Sequence, residues 1–149
     1  MKIVIQRVLE AKVEVDGAVC GQIGEGYLLL LGVSGDDTKE IADKMIEKVA
    51  RLRIFKDDED KINLSIGQID GEVLVVSQFT LYADCKKGNR PSFFDAANPA
   101  MAEELYEYVL KRCEELFRRT QHGIFGADMK VSLVNDGPFT VILDSKEIL

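Results

Sequence analysis

Apolar and polar positions alternate from residue 2 to residue 8 well enough for the period-two pattern of a strand. The pattern continues over 11–15, with Val13 and Val15 on one face, and Asp16-Gly17 then predicts a hairpin turn into a strand over 18–22. Residues 27–33, YLLLLGV, are almost continuously apolar, which suits a strand buried on both faces. Asp37-x-x-Glu40 has the form of a capping box and opens a helix. Ile41, Met45 and Val49, with Ile46 alongside, form its apolar stripe, and it ends near Arg51. A short strand is expected over 52–55, then a charged, solvated loop over 56–61.

Asp70-Gly71 punctuates the chain before a third strong strand, EVLVVSQF, over 72–79. Residues 84–98 are long, irregular and rich in Lys, Gly, Asn, Pro and Ser, and a loop of that length in a small domain is often functional. Asn98-Pro99 supplies an N-cap and a first-turn proline for a second helix, with Leu105, Val109, Cys113 and Leu116 as its buried stripe and His122-Gly123 as its end. Two last strands, 130–134 and 139–143, flank NDGPFT, where Asp136-Gly137 is a hairpin signal and Pro138 lacks the N–H a strand would use. The order is roughly βββ-α-β-β-α-ββ. It predicts an α/β or α+β fold of mixed, largely antiparallel sheets with two main helices packed on them, in a single domain over 1–149.

Composition narrows the function classes. Hydrophobic residues make up 46% and charged residues 30% of the 149, as in a globular chain with a proper core. No apolar run nears the roughly 18 residues that span a bilayer, and the N-terminus turns polar too soon for a signal peptide, so a cytoplasmic location without membrane contact is expected. Three cysteines, Cys20, Cys85 and Cys113, include no C-x-x-C pair and suggest neither a disulfide framework nor a zinc site. A net charge of −7 argues against coating nucleic acid broadly, though not against gripping one RNA end. Lys86, Lys87 and Arg90 form a local basic cluster, whereas Arg118 and Arg119 look solvated.

The phosphate-loop, dinucleotide, zincin and nucleophile-elbow motifs are all missing. The one histidine, His122, sits beside a helix-ending glycine, so Ser77 and Thr80 have no partner for a hydrolase triad. No metal or cofactor is expected. What remains is polar chemistry at strand ends. Ser77-Gln78-Phe79-Thr80 lies where an apolar strand gives way to a loop; strict alternation puts Ser77 and Phe79 on one face, Gln78 and Thr80 on the other. This stretch is either a strand leaving the core or part of a site. In Asn89-Arg90-Pro91-Ser92-Phe93, Arg90 suits a phosphate and Pro91 a turn, while Phe93 or Phe94 suits either base stacking or anchoring of the loop.

SQFTLYAD (77–84), KGNRPSF (87–93) and NDGPFT (135–140), with the N-terminal MKIVIQRVLEAKVEVDG and the GYLLLLGVSGDD stretch, together resemble the D-aminoacyl-tRNA deacylase family over essentially the whole chain. Phe139 stands where that family more often has valine. The resemblance implies hydrolysis of the ester between a D-amino acid and the terminal adenosine of tRNA, and of glycyl-tRNA mischarged on tRNA(Ala). It implies a homodimer in which a cis Gly137-Pro138 peptide enters the partner's pocket. There its carbonyls hold the substrate ammonium and its stiff main chain rejects L-aminoacyl esters. Ser77, Gln78, Phe79 and Thr80 are implied as the catalytic stretch, with the Phe79 N–H as oxyanion donor and Thr80 supporting. Asn135, Arg90, Pro91, Ser92 and Phe93 join Gly137 and Pro138 as substrate-binding residues for the CCA end. Water is implied to be activated with help from the 2′-OH of the terminal ribose. An esterase acting on free D-aminoacyl compounds and a non-catalytic RNA-end binder stay open beside this reading.

Overall fold

The computed structural model describes residues 1–149. Its longest shared element is β1, Lys2–Val15, a 14-residue strand that borders three others. Its first half pairs antiparallel with β3, Gly26–Gly32, its second half with β2, Ala18–Ile23, and its other edge runs along β8, Lys130–Asp144. The turn between β1 and β2 is the expected Asp16-Gly17, with φ of 50° and 77°, the left-handed pair that a two-residue hairpin needs.

From β3 the chain crosses through α1, Lys39–Arg51, and a small antiparallel pair, β4 (Arg53–Lys56) and β5 (Ile62–Ser65), to β6, Glu72–Ser77. β6 lies parallel to β3, which requires such a crossover. A second crossover, α2 (Pro99–Leu116), leads to β7, Thr120–His122, parallel to β6. The six-stranded sheet runs β2-β1-β3-β6-β7, with β8 on β1, and nearly closes: a Cβ on Gly21 of β2 would lie 2.7 Å from the His122 carbonyl oxygen of β7. A short helix, α3 (Ser145–Ile148), ends the chain.

Both faces of β3 are covered, as its continuous apolar run requires. Tyr27, Leu29 and Leu31 join Val73 and Val75 in the main core under the helices, while Leu28 and Leu74 join Val8, Val13 and Val76 in a smaller cluster on the opposite side. α1 contributes Ala42, Met45, Ile46 and Val49, and α2 contributes Leu105, Tyr106, Val109 and Cys113. Where the helices meet, Asp43 accepts from the Tyr108 hydroxyl at 2.9 Å and pairs with Arg112 at 2.8 Å.

The mixed α/β class stands, and four local expectations are corrected. Thr38, not Asp37, caps α1, accepting from the Ile41 N–H at 3.2 Å; Asp37 is buried and accepts from the Ser34 N–H and the Met1 ammonium instead. α2 stops at Leu116, which is exposed, so His122 lies in a strand rather than at a helix end. β6 stops at Ser77, and Phe79–Tyr82 forms a 3₁₀ turn, so strict alternation does not hold through Phe79 and Thr80. The two segments around NDGPFT do not form a hairpin: both lie along β1 in the same direction, as parts of one strand.

Candidate active site

That strand carries an excursion. Along β1, Gln6 pairs with Thr140 and Val8 with Asn135, so residues 136–139 stand opposite Arg7 alone. The Gly137–Pro138 peptide is cis, and Gly137 has φ of 138°, a conformation that side chains strain to reach. The buried Arg7 fills the gap this leaves. Its Nε donates to the Asp136 carbonyl at 3.0 Å, an η nitrogen donates to the Ile54 carbonyl of β4 at 2.6 Å, and its guanidinium lies 4.6 Å from the centre of the Phe139 ring. Asn135 closes the excursion from within, accepting from the Phe139 N–H at 2.7 Å and donating to the Thr140 hydroxyl at 3.1 Å.

A cavity of about 570 Å³ opens elsewhere, at the carboxyl ends of β3 and β6. The pairing of Leu31 with Ser77 brings those ends together, and the Gln78 N–H donates to the Leu31 carbonyl at 2.8 Å. Ser77, Gln78 and Phe79 form one wall. Ala97 and Pro99, at the start of α2, form a second, and Phe125, Met129 and Val131 a third. Phe79, 55% exposed, meets Phe93 edge-on at the rim, with ring centres 5.0 Å apart.

Two features set the chemistry. None of the lining side chains is ionisable. And the Phe79 N–H, at the turn out of β6, has no acceptor within the chain, since the 3₁₀ turn begins there and offers nothing behind it. An unpaired N–H beside an apolar cavity is a ready donor for an oxygen that gains negative charge. Thr80 does not line the cavity; its hydroxyl accepts from the Gln78 amide.

The other predicted residues divide. Phe93 lines the cavity with Ser77, Gln78 and Phe79. Arg90 and Pro91 are exposed in the loop before it and Ser92 is half-buried; none of the three lines the cavity. Asn135, Gly137 and Pro138 do not line it either. A shallower groove of about 370 Å³, along Lys44, Lys48 and Arg51 of α1, holds no predicted site residue. Burial pushes the Cys113 thiol up to about 12, which removes it as a nucleophile at neutral pH.

Sequence reasoning overlooked Arg7, Phe125 and Met129. Arg7 left a signal, because it occupies the core-facing place after Ile3 and Ile5, where a charge demands a reason. Phe125 and Met129 left none, since they sit in a connection between strands and reach the cavity only through the fold.

A family model described as D-Tyr-tRNA(Tyr) deacylase matches residues 4–144. A D-aminoacyl-tRNA deacylase of Thermosipho africanus is 53% identical over 148 residues, covering 99% of each chain. One of Lactobacillus acidophilus is 52% identical over 144 residues, covering 97% of this chain and 99% of its own. Among solved structures, the c-Myc DNA Unwinding Element Binding Protein aligns with a TM-score of 0.92 at 39% identity, covering 97% of this chain and 98% of its own. A probable eukaryotic D-amino acid tRNA deacylase aligns with a TM-score of 0.80 at 16% identity over 95% of this chain and 97% of its own, a likeness of fold.

Proposed function

The chain belongs to the D-Tyr-tRNA(Tyr) deacylase family, and on that premise we propose that it hydrolyses the ester joining a D-amino acid to the 3′-terminal adenosine of tRNA. The observation that carries this reading is the unpartnered Phe79 N–H at a cavity with no ionisable lining. The terminal adenosine and the ester occupy the cavity against Ser77, Gln78 and Phe79. Water attacks the ester carbonyl carbon, and the Phe79 N–H takes the negative charge that develops on the carbonyl oxygen. The bond to the ribose 3′ oxygen then breaks, and that oxygen takes up a proton. With no lining acid or base, the 2′-OH of the same ribose helps to activate the water. Thr80 supports by holding the Gln78 amide.

Handedness is judged by main chain. Gly137 and Pro138 do not line the cavity of their own chain, and Arg7 and Asn135 hold them in a fixed excursion. Both facts favour their serving the cavity of a partner subunit in a homodimer. Ile142, 69% exposed, and Val134 leave apolar surface on β8 for such a partner to cover. The Gly137 and Pro138 carbonyls accept from the substrate ammonium. A D side chain then points to solvent, whereas an L side chain meets the backbone and is rejected. Glycine has nothing to reject, so glycyl-tRNA, including glycine mischarged on tRNA(Ala), is hydrolysed as well. Phe93 borders the adenosine, Arg90 takes a phosphate of the CCA end, and Pro91 and Ser92 shape the loop that carries them. A single domain over 1–149 acting on tRNA in the cytoplasm, with no cofactor, completes the reading.

A D-Tyr-tRNA ending in 2′-deoxyadenosine tests it. Turnover falls by about 10²–10⁴-fold, the usual worth of a positioned proton-transfer group. Undiminished turnover would instead favour an esterase that needs no RNA hydroxyl.

A further inference from the structure

We propose that Phe94 is a stacking platform for the base of the nucleotide that precedes the terminal adenosine. The inference rests on the reading that the cavity takes the adenosine end of a tRNA. The two adjacent phenylalanines have different fates. Phe93 turns to the cavity and packs on Phe79, while Phe94 is 98% exposed. Phe94 sits at the tip of a turn closed by the Ala96 N–H donating to the Phe93 carbonyl at 3.1 Å.

That turn is pinned on both sides. Asp84 and Ser92 exchange backbone hydrogen bonds of 2.7 and 2.9 Å, and the Ala97 N–H donates to the Val33 carbonyl at 2.9 Å. The ring is therefore presented from a fixed support, so little ordering entropy opposes stacking. Nothing in the chain covers it.

The surrounding charge selects RNA as the occupant. Most lysines and arginines of this acidic chain are ion-paired, yet Lys86, Lys87 and Arg90, in the strand of loop leading to Phe94, form no ion pair. They outnumber the two nearby carboxylates: Asp84, which accepts from the Lys86 N–H at 2.9 Å, and Asp95. An aromatic face carried on the same loop as unpaired cations suits single-stranded nucleic acid held without reading its sequence. A nucleotide leaving the cavity past the Phe79–Phe93 rim meets Phe94 next, with its phosphate toward the cations.

The test compares two unhydrolysable ligands: a CCA trinucleotide carrying D-tyrosine in amide linkage at its 3′ end, and adenosine carrying the same amide. Phe94→Ala weakens the trinucleotide complex by roughly 5- to 150-fold, the worth of one stacked base, and leaves the adenosine complex unchanged. Phe94→Trp restores trinucleotide affinity. Equal losses on both ligands, or no loss on either, would overturn the proposal. So would sedimentation showing that Phe94→Ala breaks a dimer, since the ring would then belong to a protein interface. Hydrolysis of D-Tyr-tRNA by the unaltered protein is scored separately: its absence would refute the deacylase reading whatever Phe94 does.

Discussion

A charge in a core position is costly unless its donors are used, and Arg7 uses them to tie the 136–139 excursion of β8 to β4. The guanidinium fork reaches Asp136 on one side and Ile54 on the other while lying across Phe139. A lysine offers one compact ammonium and no flat face, so it cannot span both carbonyls. In Arg7→Lys at least one buried acceptor is orphaned, which lowers stability by about 1–3 kcal/mol in chemical denaturation. The 136–139 excursion also loosens, and D-Tyr-tRNA turnover drops by about 10²-fold, the cost of a small misplacement near a reacting group. Wild-type turnover in this variant would mean that the excursion keeps its shape without the fork. Gly137 is constrained in the same place. A Cβ there would stand 3.1 Å from an η nitrogen of Arg7 and 3.1 Å from the Phe139 nitrogen, at a φ that few side chains tolerate.

At the scale of elements, the proposed chemistry depends on where β6 stops. Had the strand run through Phe79, its N–H would have been spent in a ladder; because it turns at Gln78, the N–H stays free and Thr80 is carried out of the cavity. Thr80→Ala therefore keeps most of the D-Tyr-tRNA hydrolysis, losing no more than the support given to Gln78. Near-total loss with a trapped acyl-enzyme would make Thr80 a nucleophile and remove the oxyanion account. The sequence announced the strands and helices with the strongest periodicity: β3 by its unbroken apolar run, α1 by Met45 and Val49, and the start of α2 by Asn98-Pro99. It misled where local signals and tertiary structure disagree. Asp136-Gly137 looked like a reversal, but β1 pairs with the chain on both sides of it, and the long-range ladder overrides the turn preference. His122 looked like a helix end because a three-residue strand beside β6 has too little pattern to be seen. That Ser77, Gln78, Phe79 and Phe93 gather at one cavity was legible only through their motifs, since Gln78 and Phe93 lie 15 positions apart and the fold alone joins them.

The whole molecule carries a net charge of −7, which suits a protein that takes one end of a tRNA and leaves the rest in solvent. Free cations gather in the loop of Lys86, Lys87 and Arg90, enough for one to three phosphates. Raising salt should weaken tRNA binding gently, with a log–log slope of about −0.7 to −2. A slope several times steeper would demand a broad RNA-binding surface that an acidic chain is poorly suited to offer. Two cavities per dimer, each completed by the excursion of the opposite chain, would make assembly a condition of chiral selection rather than a source of stability alone. The central claim is that fixed backbone, not a reactive side chain, decides which ester is cut. Parallel hydrolysis of D-tyrosyl-, L-tyrosyl- and glycyl-tRNA by the same preparation tests it most directly. The D and glycyl esters should be cleaved and the L ester left at its spontaneous rate; comparable cleavage of the D and L esters would contradict it.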